Sequence, residues 1–338
     1  MKAFVARALD GIDSLELVEL PAQGPLAPGQ IRVAMRAASV NYRDLLVLSG
    51  ALRSVSLPDL IPCSDGAGEV VEVASEVWRV KVGDRVALTF NPDWIGGPWQ
   101  SSPGAAGRGG AIQGVMREEV VVNQQEAVLL PASLSFEEGA TLPCAGVTAW
   151  HALCAAAPLL PGMTVLLQGG GGVSLFALQF AKLFGARVIM TSSSPERCAA
   201  LKKLGADETI DYKEHSDWNA VVRQLTNGKG VDLTIEVGGA ETMERSLAAT
   251  RVGGRLAPVG LLTGRPTSAS LVGSSGVDIS VVRVGSRQDF EAMNRAIAFH
   301  NIHPVIDRRY EFGQLADALR RLKSGRQMGK IVIGFDGL

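Results

Sequence analysis

The residues with the clearest chemical meaning lie mid-chain, at Gly169-Gly170-Gly171-Gly172-Val173-Ser174. Their register is G-x-G-x-x-S. In such a turn the first glycine permits a tight bend and the second lets backbone approach a pyrophosphate. The third position must be small so that helix and strand pack closely. Ser174 is small, although it departs from glycine. The apolar stretch Met163–Gln168 before the turn reads as a strand, and Val173–Phe184 after it as a helix. A helix opening on such a turn attracts anions, because its orphan N–H groups and its macrodipole face them. The expected ligand is a dinucleotide held by Gly169, Gly171, Gly172, Val173 and Ser174.

An NAD site places Asp or Glu on the ribose about 20 residues past the first glycine. Here the chain reads Thr191-Ser192-Ser193-Ser194-Pro195-Glu196-Arg197. No carboxylate stands at the strand end, and Arg197 lies one turn into the next helix. Ser192, Ser193 and Arg197 suit a 2′-phosphate, so NADP(H) is the preferred cofactor and NAD(H) the alternative. The plainer reading is that these serines only cap the helix, with Ser194 at N-cap and Pro195 at N1.

Metal chemistry finds little support. His300 and His303 could share a helix face, but His303 precedes Pro304 and no thiol or carboxylate pattern accompanies them. His151 and His215 are isolated. The 4 cysteines (Cys63, Cys144, Cys154, Cys198) form no CxxC pair, which suggests free thiols in a reducing compartment.

The elements that must position these residues fall into two grammars. Before residue 130 the chain is β-rich, with expected strands at Ala3–Ala8, Gln30–Ala38, Gly68–Val73, Arg85–Thr89 and Glu119–Val122. Asn91–Gly114 holds seven glycines and three prolines and reads as a long lobe. Trp94 and Trp99 would anchor that lobe or line a substrate pocket. From about Ser135, strands and helices alternate. Strands are expected at Met163–Gln168, Arg187–Thr191, Glu208–Ile210, Val231–Val237, Arg255–Val259 and Ile279–Val284. The helices between them include Pro195–Leu204, Asp217–Thr226 and Glu241–Ala249. This is the pattern of a doubly wound parallel sheet. The expected fold is therefore α/β: a Rossmann-type sheet domain at 131–303, and a β-rich domain from 1–130 and 304–338. Helices at Glu291–Phe299 and Gln314–Lys323 and a strand at Lys330–Phe335 close the chain.

Composition fits a folded enzyme. At 338 residues, 46% hydrophobic and 20% charged, the chain can bury two cores. Lys and Arg number 33 against 34 Asp and Glu, a net charge of -1, which removes the basic excess of a nucleic-acid binder or polybasic membrane anchor. The N-terminus carries no apolar leader run, and prolines and glycines interrupt the uncharged stretch Gly139–Ala181. A cytoplasmic location is expected. Glycine is the outlier, at 39 residues where about 7% is usual.

The order of segments resembles the medium-chain dehydrogenase/reductase superfamily, in its zinc-independent, quinone oxidoreductase-like and "zinc-type alcohol dehydrogenase-like" branch. The carrying residues are Ala38–Asp44, Ser64–Val70, Val82–Val86, Ala140–Trp150, the glycine turn, Leu204–Asp207, Val237–Gly239 and Gly329-Lys330. The resemblance implies a GroES-like catalytic domain with the active site in a cleft beside the Rossmann domain, and a homodimer through the edge strand near Ile279–Val284. Zinc-dependent relatives use Cys, then His-Glu, then Cys at positions held here by Asn41, Ser64-Asp65 and Cys144. No metal is expected, since three protein ligands plus water is the usual catalytic set.

Asn41 then falls near the nicotinamide ribose and substrate, unless it merely caps a turn. Tyr42 could donate a proton or pack in the core, and Asp44 and Asp65 are further catalytic candidates. Asp44 suits orienting Asn41 better than acting as a base. The cofactor would also meet Thr148, Tyr212, Val237, Gly238, Gly239, Val259, Gly260, Val284, Gly285 and Ser286. Without zinc to activate an alcohol, hydride transfer is easier to a quinone, enone or activated carbonyl. The expectation is an NADP-preferring reductase of such acceptors. A zinc-free alcohol dehydrogenase and a nucleotide-binding sensor or structural protein without turnover are the alternatives.

Overall fold

The computed structural model describes residues 1–52, 57–100, 107–154, 158–260, 262–264 and 276–337. The chain divides into two compact units, Met1–Val147 with Val284–Leu338, and Thr148–Arg283. Residues 131–147 and 284–303 thus go with the β-rich unit, where the sequence assigns them to the sheet domain.

The first unit opens with β1 (Lys2–Ala6), β2 (Leu15–Glu19), β3 (Gln30–Val40), α1 (Tyr42–Leu48), β4 (Asp65–Val73), β5 (Arg85–Leu88), β6 (Glu119–Asn123), β7 (Ala127–Leu129) and α2 (Phe136–Ala140). A single π-helical turn, Leu142–Gly146, then leads toward the second unit. β3 is the organising strand. Its alternating Ile31, Val33 and Met35 are buried, and it pairs antiparallel with β4 and β6.

The second unit contains most of α3 (Val147–Cys154), then β8 (Thr164–Gln168), α4 (Gly172–Leu183), β9 (Arg187–Ser192), α5 (Pro195–Lys203), β10 (Glu208–Asp211), α6 (Trp218–Leu225), β11 (Val231–Glu236), α7 (Met243–Ala249), β12 (Thr250–Pro258) and β13 (Asp278–Ile279). Among the described residues its six strands are parallel, in the order β10-β9-β8-β11-β12-β13. α4 is apolar on nearly every side and is correspondingly buried at Leu175, Phe176, Ala177, Leu178, Phe180 and Ala181.

The chain then returns to the first unit as α8 (Arg287–His300), β14 (Ile306–Glu311), α9 (Leu315–Lys323) and β15 (Lys330–Gly334). Leu315, Ala318, Leu319 and Leu322 form one helical stripe on α9 and join the β-rich core. Phe312 lies 5.4 Å from Phe4 and 4.8 Å from Phe335, ring centre to ring centre. β15 lies antiparallel against β3, with Ile331 opposite Val40.

Two sequence expectations need correction. The expected strand Ile279–Val284 shrinks to β13, after which only alternate N–H groups still bond β12: Ser280 to Leu256 O at 3.0 Å and Val282 to Pro258 O at 3.1 Å. Val284 itself turns to φ +41°, out of extended backbone. β4 begins at Asp65 rather than Gly68, because Gly66 and Gly68 weaken the strand signal while permitting close approach. A Cβ on Gly68 would sit 2.2 Å from Ala34 O.

Candidate functional site

Two clusters of side chains stand out, one in each unit. In the first, strand register does the positioning. Ser39 faces Asp65 across β3 and β4, while Val40 faces Ile331 across β3 and β15. Asn41, Asp65 and Lys330 therefore meet at one end of the sheet, where α1 begins.

All three are buried, Asn41 at 9% exposure, Asp65 at 0% and Lys330 at 4%. The Lys330 ammonium donates to Asn41 Oδ1 at 2.5 Å and to Val40 O at 2.9 Å, and lies 3.9 Å from Asp65 Oδ2. Asn41 Nδ2 approaches Ser64 Oγ at 3.5 Å, and Ser64 Oγ donates to Asp65 Oδ1 at 2.7 Å. Asp65 Oδ2 also accepts the backbone N–H of Cys144 at 3.2 Å. Lys330, Asn41, Ser64 and Asp65 thus close a ring of polar contacts, with one positive and one negative member. Burial raises the pKa of Asp65, while Lys330 and the hydrogen bonds oppose the rise. Burial and the Asp65 charge push the Cys144 thiol up.

Asp44 serves α1 first. It accepts the Asn41 N–H at 2.8 Å as the N3 partner of a capping box, and Arg43 Nη1 donates to it at 3.1 Å. Burial raises its pKa from 3.8 to about 6, against the pull of Arg43. Arg43 in turn donates to Arg108 O at 2.9 Å, which ties α1 to the glycine lobe. Tyr42, the first residue of α1, is 38% exposed and carries its ring outside the buried ring of contacts.

In the second unit, the glycine turn follows β8 and opens α4 as its spacing predicts. Gly169 takes φ +66°, and Gly171 is the helix N-cap. A Cβ on Gly171 would meet no atom within 4 Å, so the space before the helix is open where a phosphate would approach. The first turn of α4, with Gly172 and Val173, has neither an acidic residue nor a capping side chain. Ser174 is buried and its Oγ donates to Gln168 O at 2.6 Å, which joins the third position of the motif to the end of β8.

The remaining second-unit candidates lie at the C-terminal ends of the parallel strands or just after them. Ser192 ends β9 with its hydroxyl buried and unpartnered, and Ser193 follows. Ser194 caps α5 by accepting the Arg197 N–H at 3.3 Å. Tyr212 follows β10, half exposed, and donates its N–H to Ser192 O at 2.9 Å. Val237, Gly238 and Gly239 follow β11, and Val259 and Gly260 follow β12. Thr148 is buried on α3. Val284, Gly285 and Ser286 fall in the first unit, where the Ser286 hydroxyl caps α8 by accepting the Asp289 N–H at 3.1 Å.

Sequence reading assigned no role to Lys330, Ser64, Arg43, Gln168 or Glu236. A glutamate at a buried strand end, just before the Val237-Gly238-Gly239 turn, was the available signal for the last. The lobe's Trp94 is buried, its Nε1 donates to Gly97 O at 3.0 Å, and its ring meets Trp99 edge-on at 4.9 Å, so it anchors the lobe. Residues 101–106 of that lobe lie outside the described residues. His303 Nδ1 contacts Glu138 Oε1 at 2.7 Å. Among the described residues, no group of three or more His, Cys, Asp or Glu is placed to hold a metal, and no helix could cross a membrane.

The second unit is a parallel sheet with a glycine-rich crest, the architecture of Rossmann-like domains, and the first is a β-rich unit with a buried polar cluster. Comparison with known proteins agrees. Residues 27–132 match the alcohol dehydrogenase GroES-like domain, and residues 172–298 the zinc-binding dehydrogenase domain. A zinc-type alcohol dehydrogenase-like protein of Schizosaccharomyces pombe is 37% identical over 336 residues, 97% of each chain. A quinone oxidoreductase of Pseudomonas aeruginosa is 32% identical, covering 94% of this chain and 95% of its own. A crystal structure described as an NAD-dependent alcohol dehydrogenase superposes with a TM-score of 0.88 at 32% identity, covering 99% of this chain and 100% of its own. The chain belongs to the medium-chain dehydrogenase/reductase family, with a GroES-like domain and a Rossmann-like domain. It is an oxidoreductase of the alcohol dehydrogenase-like and quinone oxidoreductase-like group.

Proposed function

We propose that the protein reduces quinones, enones or similarly activated carbonyls with a nicotinamide dinucleotide, NADPH in preference to NADH, and without catalytic zinc. The observation that carries this reading is the ring of Lys330, Asn41, Ser64 and Asp65.

The residues suit the dinucleotide. The open space before Gly171 and the uncapped start of α4 suit a pyrophosphate, and the orphaned Ser192 hydroxyl suits a ribose or its phosphate. Arg197 and Ser193 add charge and donors for a 2′-phosphate. When bound, the dinucleotide supplies the hydride chemistry. Val237–Gly239 and Val259-Gly260 would line the ring's side of the crest.

Zinc, implied by the name of the matched domain, suits the residues poorly. One thiol and one carboxylate stand at positions where three protein ligands would be needed. The Lys330 ammonium lies within 3.9 Å of that carboxylate and already bonds Asn41 Oδ1. A second cation there would be repelled. The resident charge is organic.

The chain's own groups then act on the acceptor. Lys330 holds the Asn41 amide by its oxygen, which leaves Nδ2, beside Ser64, as the end from which the amide would donate to a substrate oxygen. As hydride arrives, negative charge develops on that oxygen, and a fixed amide donor backed by an ammonium stabilises it. A quinone or enone delocalises this charge and needs no Lewis acid, whereas a simple alcohol must be deprotonated. The test is a panel of quinones, enones, aldehydes and alcohols with NADPH and NADH. Turnover confined to alcohols, or absent with all acceptors despite dinucleotide binding, would overturn the reading.

A further inference from the structure

The chain leaves β8 outward through β9 and β10, then crosses back to β11 on the other side of β8. The strand order reverses between β8 and β11, and open parallel sheets bind ligands beyond the strand ends at such a switch point. The last residues of these two strands are Gln168 and Glu236.

Glu236 is fully buried and its carboxylate receives five hydrogen bonds. Oε1 accepts from Gly238 N at 2.7 Å, Gly239 N at 3.0 Å and Thr242 Oγ1 at 2.7 Å. Oε2 accepts from Gln168 Nε2 at 2.7 Å and from Ser246 Oγ. Gln168 Oε1 in turn accepts the N–H groups of Val237 and Gly238, each at 3.2 Å. Three N–H donors and two hydroxyls around one carboxyl group are surroundings that suit an ionised carboxylate. Every donor is neutral, and no ion pair reaches Glu236 among the described residues. An unpaired buried charge is costly, and a clamp for Val237–Gly239 could be built from neutral groups.

We propose that Glu236 is a fixed negative charge that biases a bound nicotinamide toward its oxidised form. This rests on reading the second unit as the dinucleotide site. The nicotinamide ring is cationic when oxidised and neutral when reduced. A carboxylate without a resident counter-ion stabilises the cation selectively, and low surrounding dielectric carries that effect beyond contact distance. Gln168 positions the crest, and Glu236 both positions it and sets its charge.

The experiment measures dissociation constants of the oxidised and reduced dinucleotide for wild type, Glu236→Gln, Glu236→Asp and Gln168→Lys. Glu236→Gln removes the charge at constant size. Gln168→Lys instead brings a counter-ion to Glu236 Oε2, so it tests the charge even if Glu236→Gln misfolds. Each is expected to weaken oxidised-form binding relative to reduced by about threefold or more. Glu236→Asp should keep the wild-type ratio. If Glu236→Gln and Gln168→Lys change both affinities by the same factor, Glu236 is a clamp alone and the inference fails. Wild type binding neither form would instead remove the cofactor reading itself.

Discussion

The ammonium of Lys330 and the amide oxygen of Asn41 lie 2.5 Å apart across 289 residues of sequence. The antiparallel register of β15 on β3 creates this contact, and it joins the last strand of the chain to the start of α1. Removing the lysine would leave Asp65 buried without a cation, and breaking a buried pair from one side costs about 3–5 kcal/mol. Lys330→Met is expected to lower unfolding free energy by that order, and Asp65→Asn added to it should recover part of the loss. Urea denaturation of the two single variants and the double variant checks this. Additive losses would mean that the pair is not coupled.

Gly171 separates binding from folding. Its φ of -75° is open to any residue, and an added Cβ meets nothing within 4 Å. Gly171→Ala should leave stability within about 1 kcal/mol, since nothing must move. The methyl group would occupy the pyrophosphate's approach and weaken dinucleotide binding by about tenfold or more, roughly 1.4 kcal/mol. Thermal denaturation without ligand and a nicotinamide fluorescence titration read the two effects separately. Unchanged affinity would remove the turn from the binding site.

On the proposed reading, Arg197 and the serines carry the cofactor preference. Arg197→Ala should weaken NADPH binding by about tenfold while changing NADH binding little, because a charge-assisted contact to a phosphate is lost. Titrations with both dinucleotides decide it. NADH binding tighter than NADPH in wild type, with no effect of the substitution, would contradict the assignment.

Asp44 gives a pH signature. Its folded-state pKa is about 6 against 3.8 for the free group. The folded protein therefore holds this proton more tightly than the unfolded chain. Its contribution favours folding in acid and turns unfavourable as pH rises through 3.8 to 6. Asp44→Asn lacks this term, so its stability relative to wild type should rise between pH 3.5 and pH 7, by at most about 3 kcal/mol. Urea denaturation at the two pH values measures it. A difference that stays constant, or moves the other way, would show that Arg43 outweighs burial.

The geometry of the glycine turn was legible because it is local: six consecutive residues contain the bend, the open space and the helix start. The place of the serine run at the end of β9, with Ser194 capping α5, was legible for the same reason. The Asn41 cluster was only half readable. Asn41, Asp44, Asp65 and Lys330 all lie within motifs, but Lys330 reaches the others through strand pairing, and no spacing in the sequence encodes that. Glu236 hid in the same way, since its donors come from β8, α7 and the turn after β11. The strand expected at Ile279–Val284 overran because a valine-rich run ending in Gly-Ser resembles a strand end. Positive φ at Val284 and the capping role of Ser286 belong instead to the start of α8.

The central claim is hydride transfer to an activated acceptor with Lys330, rather than zinc, as the resident cation. The most direct measurement is NADPH-dependent quinone or enone reduction before and after exhaustive chelation, with metal content determined on the same sample. The account predicts less than stoichiometric zinc and undiminished turnover after chelation. One tightly held zinc per chain, with activity lost on chelation and restored by adding zinc back, would contradict it.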